Sequence, residues 1–287
     1  MYPETITLNV ENLDVVAGFY AYCVGLHILE KAEESILLGV ANKPLVRLKR
    51  LMNGLRIRNA PGLYHLALRV PTRVDLANWL RHYREVEMPN WQGASNHGVS
   101  EALYLADPEG NGIEITADKP REEWDFQADG RIVVYAERLD LRALSLLTTD
   151  NPWVSLPQGS DLGHVHLQVG NIAAAKNFYV DLLGFDLKTE IPDSALFVAH
   201  GGYHHHIGLN NWHSRNTLPP PLAVYGLSEF SLRMEDQGAF LALRSKMENN
   251  IFVEKGEQDF LVRDPSGNHI RIFLKSQSEE KKYELSS

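Results

Sequence analysis

An α+β fold built from four repeated βαβββ-like units is what this sequence predicts, and three observations carry the prediction. Residues 5–26, TITLNVENLDVVAGFYAYCVGL, return as residues 164–185, HVHLQVGNIAAAKNFYVDLLGF, with one offset of 159 residues carrying Val10 to Val169, Phe19 to Phe178 and Gly25 to Gly184. A second pair, HLALRV (65–70) and EFSLRM (229–234), leads each time into an amphipathic stretch, DLANWLRHYRE or FLALRSKME, and then into ADPEGNGIEI (106–115) or RDPSGNHIRI (263–272). The opening stretch of the units alternates apolar and polar residues, the period of a half-buried strand. Self-similarity of this kind decides the architecture before any single element does.

The units run over about 4–58, 62–118, 161–212 and 225–275. In the first, a strand from Thr5 meets Asn12 and Asp14, either of which can cap the helix that carries Phe19 and Tyr20. In the second, Asp-Pro-Glu-Gly-Asn marks a tight turn between two strands. Residues 119–160 form a connector, charged in REEWDFQADGRIVVYAERLD and turn-rich in TTDNPWVSLPQGSD. The third unit closes on GGYHHHIGL (201–209), read as its last strand, where alternation puts His204 and His206 on one face and His205 on the other. Pro219, Pro220 and Pro221 lead into the fourth unit, and the end, KSQSEEKKYELSS, reads as a frayed polar tail. Two domains are expected, 1–150 holding units one and two with the connector and 151–287 holding units three and four with the tail.

Composition narrows the function classes. The chain has 287 residues, is 44% hydrophobic and 23% charged, and carries a formal net charge of −9. That balance argues against nucleic acid as a partner. Cys23 is the one cysteine, so no internal disulfide can form. With no apolar run of membrane-spanning length and no signal-like N-terminus, a cytoplasmic protein without a membrane partner is expected, and a homo-oligomer is compatible.

The stretches GLYHLALRVP, HGVSEALYLADPEGNGIEITADKPREEW, LGHVHLQVGN and GGYHHHIGLNNW resemble the vicinal oxygen chelate superfamily, which includes glyoxalases, bleomycin-resistance proteins and extradiol dioxygenases. Within it the chain looks most like the catechol 2,3-dioxygenase subgroup. The resemblance covers nearly the whole chain. It implies two half-open barrels, each made by two units around a cup, with metal ligands on the first and last strands of the paired units. It also implies an extradiol ring-cleaving dioxygenase that uses Fe(II), with Mn(II) or Zn(II) as alternatives, a small catechol- or hydroquinone-like aromatic, and O2. Two histidines and one glutamate are the set that the ring-cleaving relatives use, and it suits non-haem Fe(II) because positions stay open.

The matching positions here are Thr5, His65, His164 and Glu229 on first strands, with Glu114 and Arg271 on last strands. Pairing sequence neighbours leaves the first cup one ligand short and puts an arginine, which stays protonated, in the second. Pairing units two with three and one with four gives His65, Glu114 and His164 in one cup. The other cup then holds Thr5, Glu229 and Arg271, read as a dead site with a salt bridge. The crossed pairing is therefore expected. The resemblance further implies His206 as the acid/base histidine with His205 next in line, Tyr104 as a donor to a substrate oxygen, and His97 as a second pocket histidine. His166 shares the face of His164, and Trp91, Phe197, Tyr203 and Trp212 are candidates for apolar walls. His82, His213 and His269 read as solvated. The competing readings are a glyoxalase-like lyase or isomerase, which wants a fourth ligand, and a non-enzymatic aromatic-binding resistance protein.

Overall fold

A computed structural model of the chain describes residues 1–221, 223–247 and 252–275. The first unit holds β1 (Tyr2–Val10), α1 (Leu13–Phe19), β2 (His27–Lys31), β3 (Ser35–Val40) and β4 (Lys43–Arg50). The second holds β5 (Gly62–Arg69), α2 (Arg73–Glu85), β6 (Trp91–Asn96), β7 (Ser100–Ala106) and β8 (Gly112–Asp118). The connector adds β9 (Glu137–Arg138) and α3 (Leu141–Ser145). The third unit is β10 (Asp161–Gln168), α4 (Ile172–Lys176), β11 (Asp186–Ile191), β12 (Ala195–Ala199) and β13 (Ile207–Asn210). The fourth is β14 (Gly226–Met234), α5 (Gln237–Met247), β15 (Phe252–Lys255), β16 (Asp259–Arg263) and β17 (His269–Leu274). The expected polar tail after Lys275 lies outside the described residues.

The duplication extends to local detail. Asn12 caps α1 by accepting from the Val15 N–H at 3.2 Å, and Asn171 caps α4 by accepting from Ala174 at 2.9 Å. Such caps satisfy amides that the first helical turn leaves unpaired. Each helix then widens into a π turn, Tyr20–Val24 and Asn177–Leu182. The two Asp-Pro-x-Gly-Asn turns are also twins: Asp107 accepts from the amides of Glu109 and Asn111, and Asp264 from those of Ser266 and Asn268.

The strands form two curled sheets, in the orders β15-β16-β17-β14-β1-β4-β3-β2 and β11-β12-β13-β10-β5-β8-β7-β6-β9. At the centre of the first, β1 pairs antiparallel with β14; at the centre of the second, β5 pairs antiparallel with β10. Units one and four therefore share one half-barrel, and units two and three share the other, as the crossed pairing requires. The apolar residues of the alternating strands, such as Ile6, Leu8, Leu66, Leu68, Val165 and Leu167, join Trp79, Phe178 and Phe240 from the helices in one core. The polar members of β5, β8 and β10 are left to the opposite, concave face.

Two expectations need correction. His204, His205 and His206 are not in the closing strand of unit three: β13 begins at Ile207, and residues 201–206 run as turn and bend, so strict alternation does not govern them. His82 is buried at 5% exposure, not solvated, because its ring stacks on Trp153 and its Nε2 reaches the Tyr22 carbonyl at 3.1 Å.

Candidate metal centre

Register brings three distant side chains onto one patch. On the antiparallel β5–β10 pair, His65 lies opposite His166 and Ala67 opposite His164; on the parallel β5–β8 pair, Ala67 lies beside Glu114. The register shifts at Tyr64 and at Gly163, each adding one residue to its strand. Bulges of this kind re-aim side chains at sites without ending the sheet. Two glycines clear space for the histidines. A Cβ at Gly112 would lie 2.2 Å from the Tyr64 carbonyl oxygen and 3.1 Å from the His65 Cβ, and one at Gly208 would lie 2.8 Å from the His166 ring.

The result is a convergence of donors. His65 Nε2 is 2.9 Å and His164 Nε2 3.3 Å from the same Glu114 oxygen, and the two Nε2 atoms are 3.3 Å apart. These three residues form the metal-capable group among the described residues, and all are buried. Edges of this length are what three donors about 2.1 Å from one small ion would make. Burial alone would raise the Glu114 pKa, but the two histidines outweigh it and hold the carboxyl well below its usual range. Burial lowers His164, keeping its imidazole in the neutral form that a metal needs. The donor set therefore fits a divalent cation with one anionic and two neutral ligands.

Proton-bearing groups surround the three. The Tyr104 hydroxyl donates to His97 Nε2 at 2.6 Å, because His97 Nδ1 is occupied in donating to the Tyr135 carbonyl at 2.8 Å. The Tyr104 ring lies 5.5 Å from the His65 ring. Burial and Glu114 push the Tyr104 phenol well above its usual pKa, so it stays protonated. Asn210 donates to His166 Nε2 at 3.1 Å, and the His166 ring stands 4.8 Å from that of His65. The expected position of His206 does not hold. Its ring packs against Tyr2 and Tyr203, and its Nδ1 accepts from the His200 amide. The ring beside the metal group is that of His205, 4.2 Å from His164 and 5.1 Å from Phe197. The irregular backbone before β13 separates these neighbours.

Two features escaped sequence reasoning. Tyr64, the bulged residue, lines the cup with Trp212: the two rings lie 5.2 Å apart and each contacts His166. The connector crosses the cup from one edge of the sheet to the other, pairing β9 with β6 and joining Ile132 to Lys188 of β11. Along the way Trp124 packs on His204 and Tyr203. Of the other expected walls, Phe197 contacts His166 and His205, whereas Trp91 packs on Tyr83 outside the cup. In the other half-barrel Arg271 is bound by Glu229, Asp259 and Glu254, so its polar face is an ion-pair network. A cleft of about 710 Å³ opens elsewhere, near Arg56, Gln168 and Tyr225, and contains none of the three candidate ligands.

A family model described as the Glyoxalase/Bleomycin resistance protein/Dioxygenase superfamily matches residues 3–115 and 161–272. A relative named catechol-2,3-dioxygenase, from Bacillus subtilis (strain 168), is 36% identical over 273 residues, covering 93% of this chain and 95% of that protein. Among solved structures, a putative dioxygenase from Bacillus subtilis subsp. subtilis str. 168 aligns at a TM-score of 0.64 with 12% identity, over 100% of this chain and 96% of that one. Glyoxalase I from Zea mays aligns at 0.61 with 14% identity, over 99% of this chain and 96% of that one. Two differently named enzymes at such low identity speak to fold alone.

Proposed function

Because the chain belongs to the glyoxalase/bleomycin resistance/dioxygenase superfamily, we propose that it is a metal-dependent extradiol dioxygenase that opens a catechol- or hydroquinone-like ring with O2. The observation that carries this reading is the buried meeting of two histidine Nε2 atoms and one carboxylate oxygen, with further proton carriers beside them. His65, His164 and Glu114 would hold the ion. Fe(II) bound there would supply adjacent open positions for a vicinal diol and O2, and a route for electrons between them.

The remaining work falls to the protein's own side chains. Tyr64, Phe197 and Trp212 offer an aromatic wall for a flat ring. His205 faces the cup as a neutral imidazole, since burial keeps its pKa well below the usual value. Its place beside His164 and Phe197 makes it the ring positioned to exchange a proton with a phenolic oxygen. Tyr104, a protonated phenol whose hydrogen rests on His97 Nε2, can turn that hydrogen from His97 to a substrate oxygen. The connector over the cup keeps bulk water from the reacting groups.

A glyoxalase-like lyase would want a fourth ligand near the three. His205 is the nearest candidate, but it is not part of the buried group whose donor atoms lie within 4.8 Å of one another. The three-ligand set therefore supports the dioxygenase. The test is oxygen uptake by protein purified without air and loaded with Fe(II), across a panel of catechols and hydroquinones. Uptake matched to a yellow ring-opened product is expected. Iron-loaded protein that consumes no oxygen with any of them would overturn the reading.

A further inference from the structure

The cleft of about 710 Å³ lies where all four units meet. Among the residues that line it are the matching ends of the two central strand pairs: Asn9 of β1 opposite Gly226 of β14, and Gln168 of β10 opposite Gly62 of β5. Two of these four are glycines and put no side chain into the gap between the pairs. A Cβ added at Gly62 would meet nothing within 4 Å. The volume is that of a small-molecule site. None of the three candidate metal ligands lines it.

The charge of the cleft is the reverse of the molecule's. The chain carries a formal net charge of −9, yet Arg56, Arg58 and Arg263 line the cleft against a single carboxylate, that of Glu109. Glu109 is occupied by the chain itself: it accepts from the amides of Glu11 and Asn12 at 2.7 to 3.0 Å and from Arg56 at 3.3 Å. Arg56 also holds Glu11 at 2.8 Å. Arg58 and Arg263 are exposed, and their side chains make no ion pair or hydrogen bond among the described residues. The amide of Gln168 is also unengaged there, and its Oε1 is shielded from solvent without a partner. A shielded polar group left alone calls for a physical reason.

We propose that this cleft is a second ligand site, separate from the metal centre, which takes a small organic carboxylate with an apolar body. An unpaired guanidinium meets a carboxylate through two parallel N–H bonds, a fit that an ammonium lacks. Arg58 and Arg263 are free to make them, because no carboxylate of the described residues competes. The Gln168 amide can turn its NH2 toward the same oxygens. The apolar body has a wall ready for it. The Tyr225 ring is fixed, with the Arg56 guanidinium over it at 4.6 Å and its hydroxyl accepting from the Gly54 amide at 3.1 Å. Ile57, 44% exposed, and Leu227 also line the cleft. A wall that is already ordered costs a ligand little on binding. The site stands whether or not the protein is a dioxygenase.

The test is calorimetric titration of the full chain as purified, with benzoate as the probe. One saturable site is expected, weakened by added salt. Arg58→Gln combined with Arg263→Gln should weaken benzoate tenfold or more, because charge-assisted bonds are lost. Both arginines are exposed, so the melting temperature should stay close to that of wild type. Gln168→Leu removes an amide that bonds nothing else among the described residues, so it should weaken benzoate several-fold without lowering the melting temperature. Stripping metal with a chelator should leave benzoate affinity unchanged. Absence of a saturable site would overturn the proposal, and so would full affinity in the double arginine variant. Affinity lost on chelation would place the probe at the metal centre and overturn it too. Inorganic phosphate binding as tightly as benzoate would overturn the organic class, since phosphate has no use for the apolar wall.

Discussion

At the residue scale, His205 and His206 are neighbours with separate fates. His205 lies against His164 in the cup, whereas His206 is wedged between Tyr2 and Tyr203. His205→Asn is therefore expected to lower ring-opening turnover by about a hundredfold while metal stays bound, and His206→Asn to leave turnover close to wild type. Oxygen uptake and metal content measured on both variants decide it; equal losses would show that both rings serve the reaction. His206 has a different role, in stability. Burial, the largest cause, lowers its pKa from 6.5 to about 3. The unfolded chain thus takes up a proton below about pH 6.5 that the folded chain refuses until about pH 3, so stability falls as pH drops through that window. By pH 5 the loss from this group alone is up to about 2 kcal/mol. Urea unfolding midpoints at pH 7 and pH 5 should fall further apart in wild type than in His206→Gln. His65, Glu114 and His164, the ligand positions that the family resemblance implies, are brought together by the structure. Which of two adjacent histidines faces the cup was not legible, because that depends on the irregular backbone of residues 201–206 that leads into β13.

At the element scale, the cup depends on how closely β8 lies against β5. Gly112 faces the Tyr64 carbonyl and the His65 Cβ, and a methyl there would meet backbone at 2.2 Å. Backbone cannot yield as a flexible side-chain tip can, so the strands must part. Gly112→Ala should then separate Glu114 from His65 and weaken metal binding by tenfold or more, with a lower melting temperature. Gly18→Ala in α1 is the control: nothing lies within 4 Å of its added methyl, and alanine favours a helix, so the melting temperature should hold or rise. Metal titration and thermal unfolding of the pair read out both effects; an undisturbed metal site in Gly112→Ala would show that β8 has slack. The asparagine cap, the helices and the paired Asp-Pro turns were all readable as local signals. The bulges at Tyr64 and Gly163 were not, since each is a mismatch between two strands about 100 residues apart and neither strand encodes it alone.

At the scale of the whole molecule, the crossed pairing ties the site to both halves of the chain. Strands β5 and β8 bring His65 and Glu114 from unit two, and β10 brings His164 from unit three. His164→Ala should therefore abolish metal binding without unfolding the sheet, whereas Glu229→Ala, in the Arg271 network of the other half-barrel, should leave the metal stoichiometry unchanged. The pairing was legible because a single arrangement of the units assembled a complete ligand set; the path of the connector over the cup was not, since its anchors, Ile132 on Lys188 and β9 on β6, are tertiary contacts without a periodic signal. Splitting the chain makes a sharper test. Cutting after Asp150, at exposed residues, leaves β1 and β5 on one half and β10 and β14 on the other. Each half would then bare both central strand edges at once, a strong drive toward aggregation or toward the missing half. Neither half alone should hold the metal, because each lacks part of the ligand set. Produced together in one cell, residues 1–150 and 151–287 should copurify and bind one metal ion per pair. A lone half that binds metal as tightly as the intact chain would refute the cross-paired centre, whereas recovery only on reunion would show that the two halves of the sequence build the site jointly.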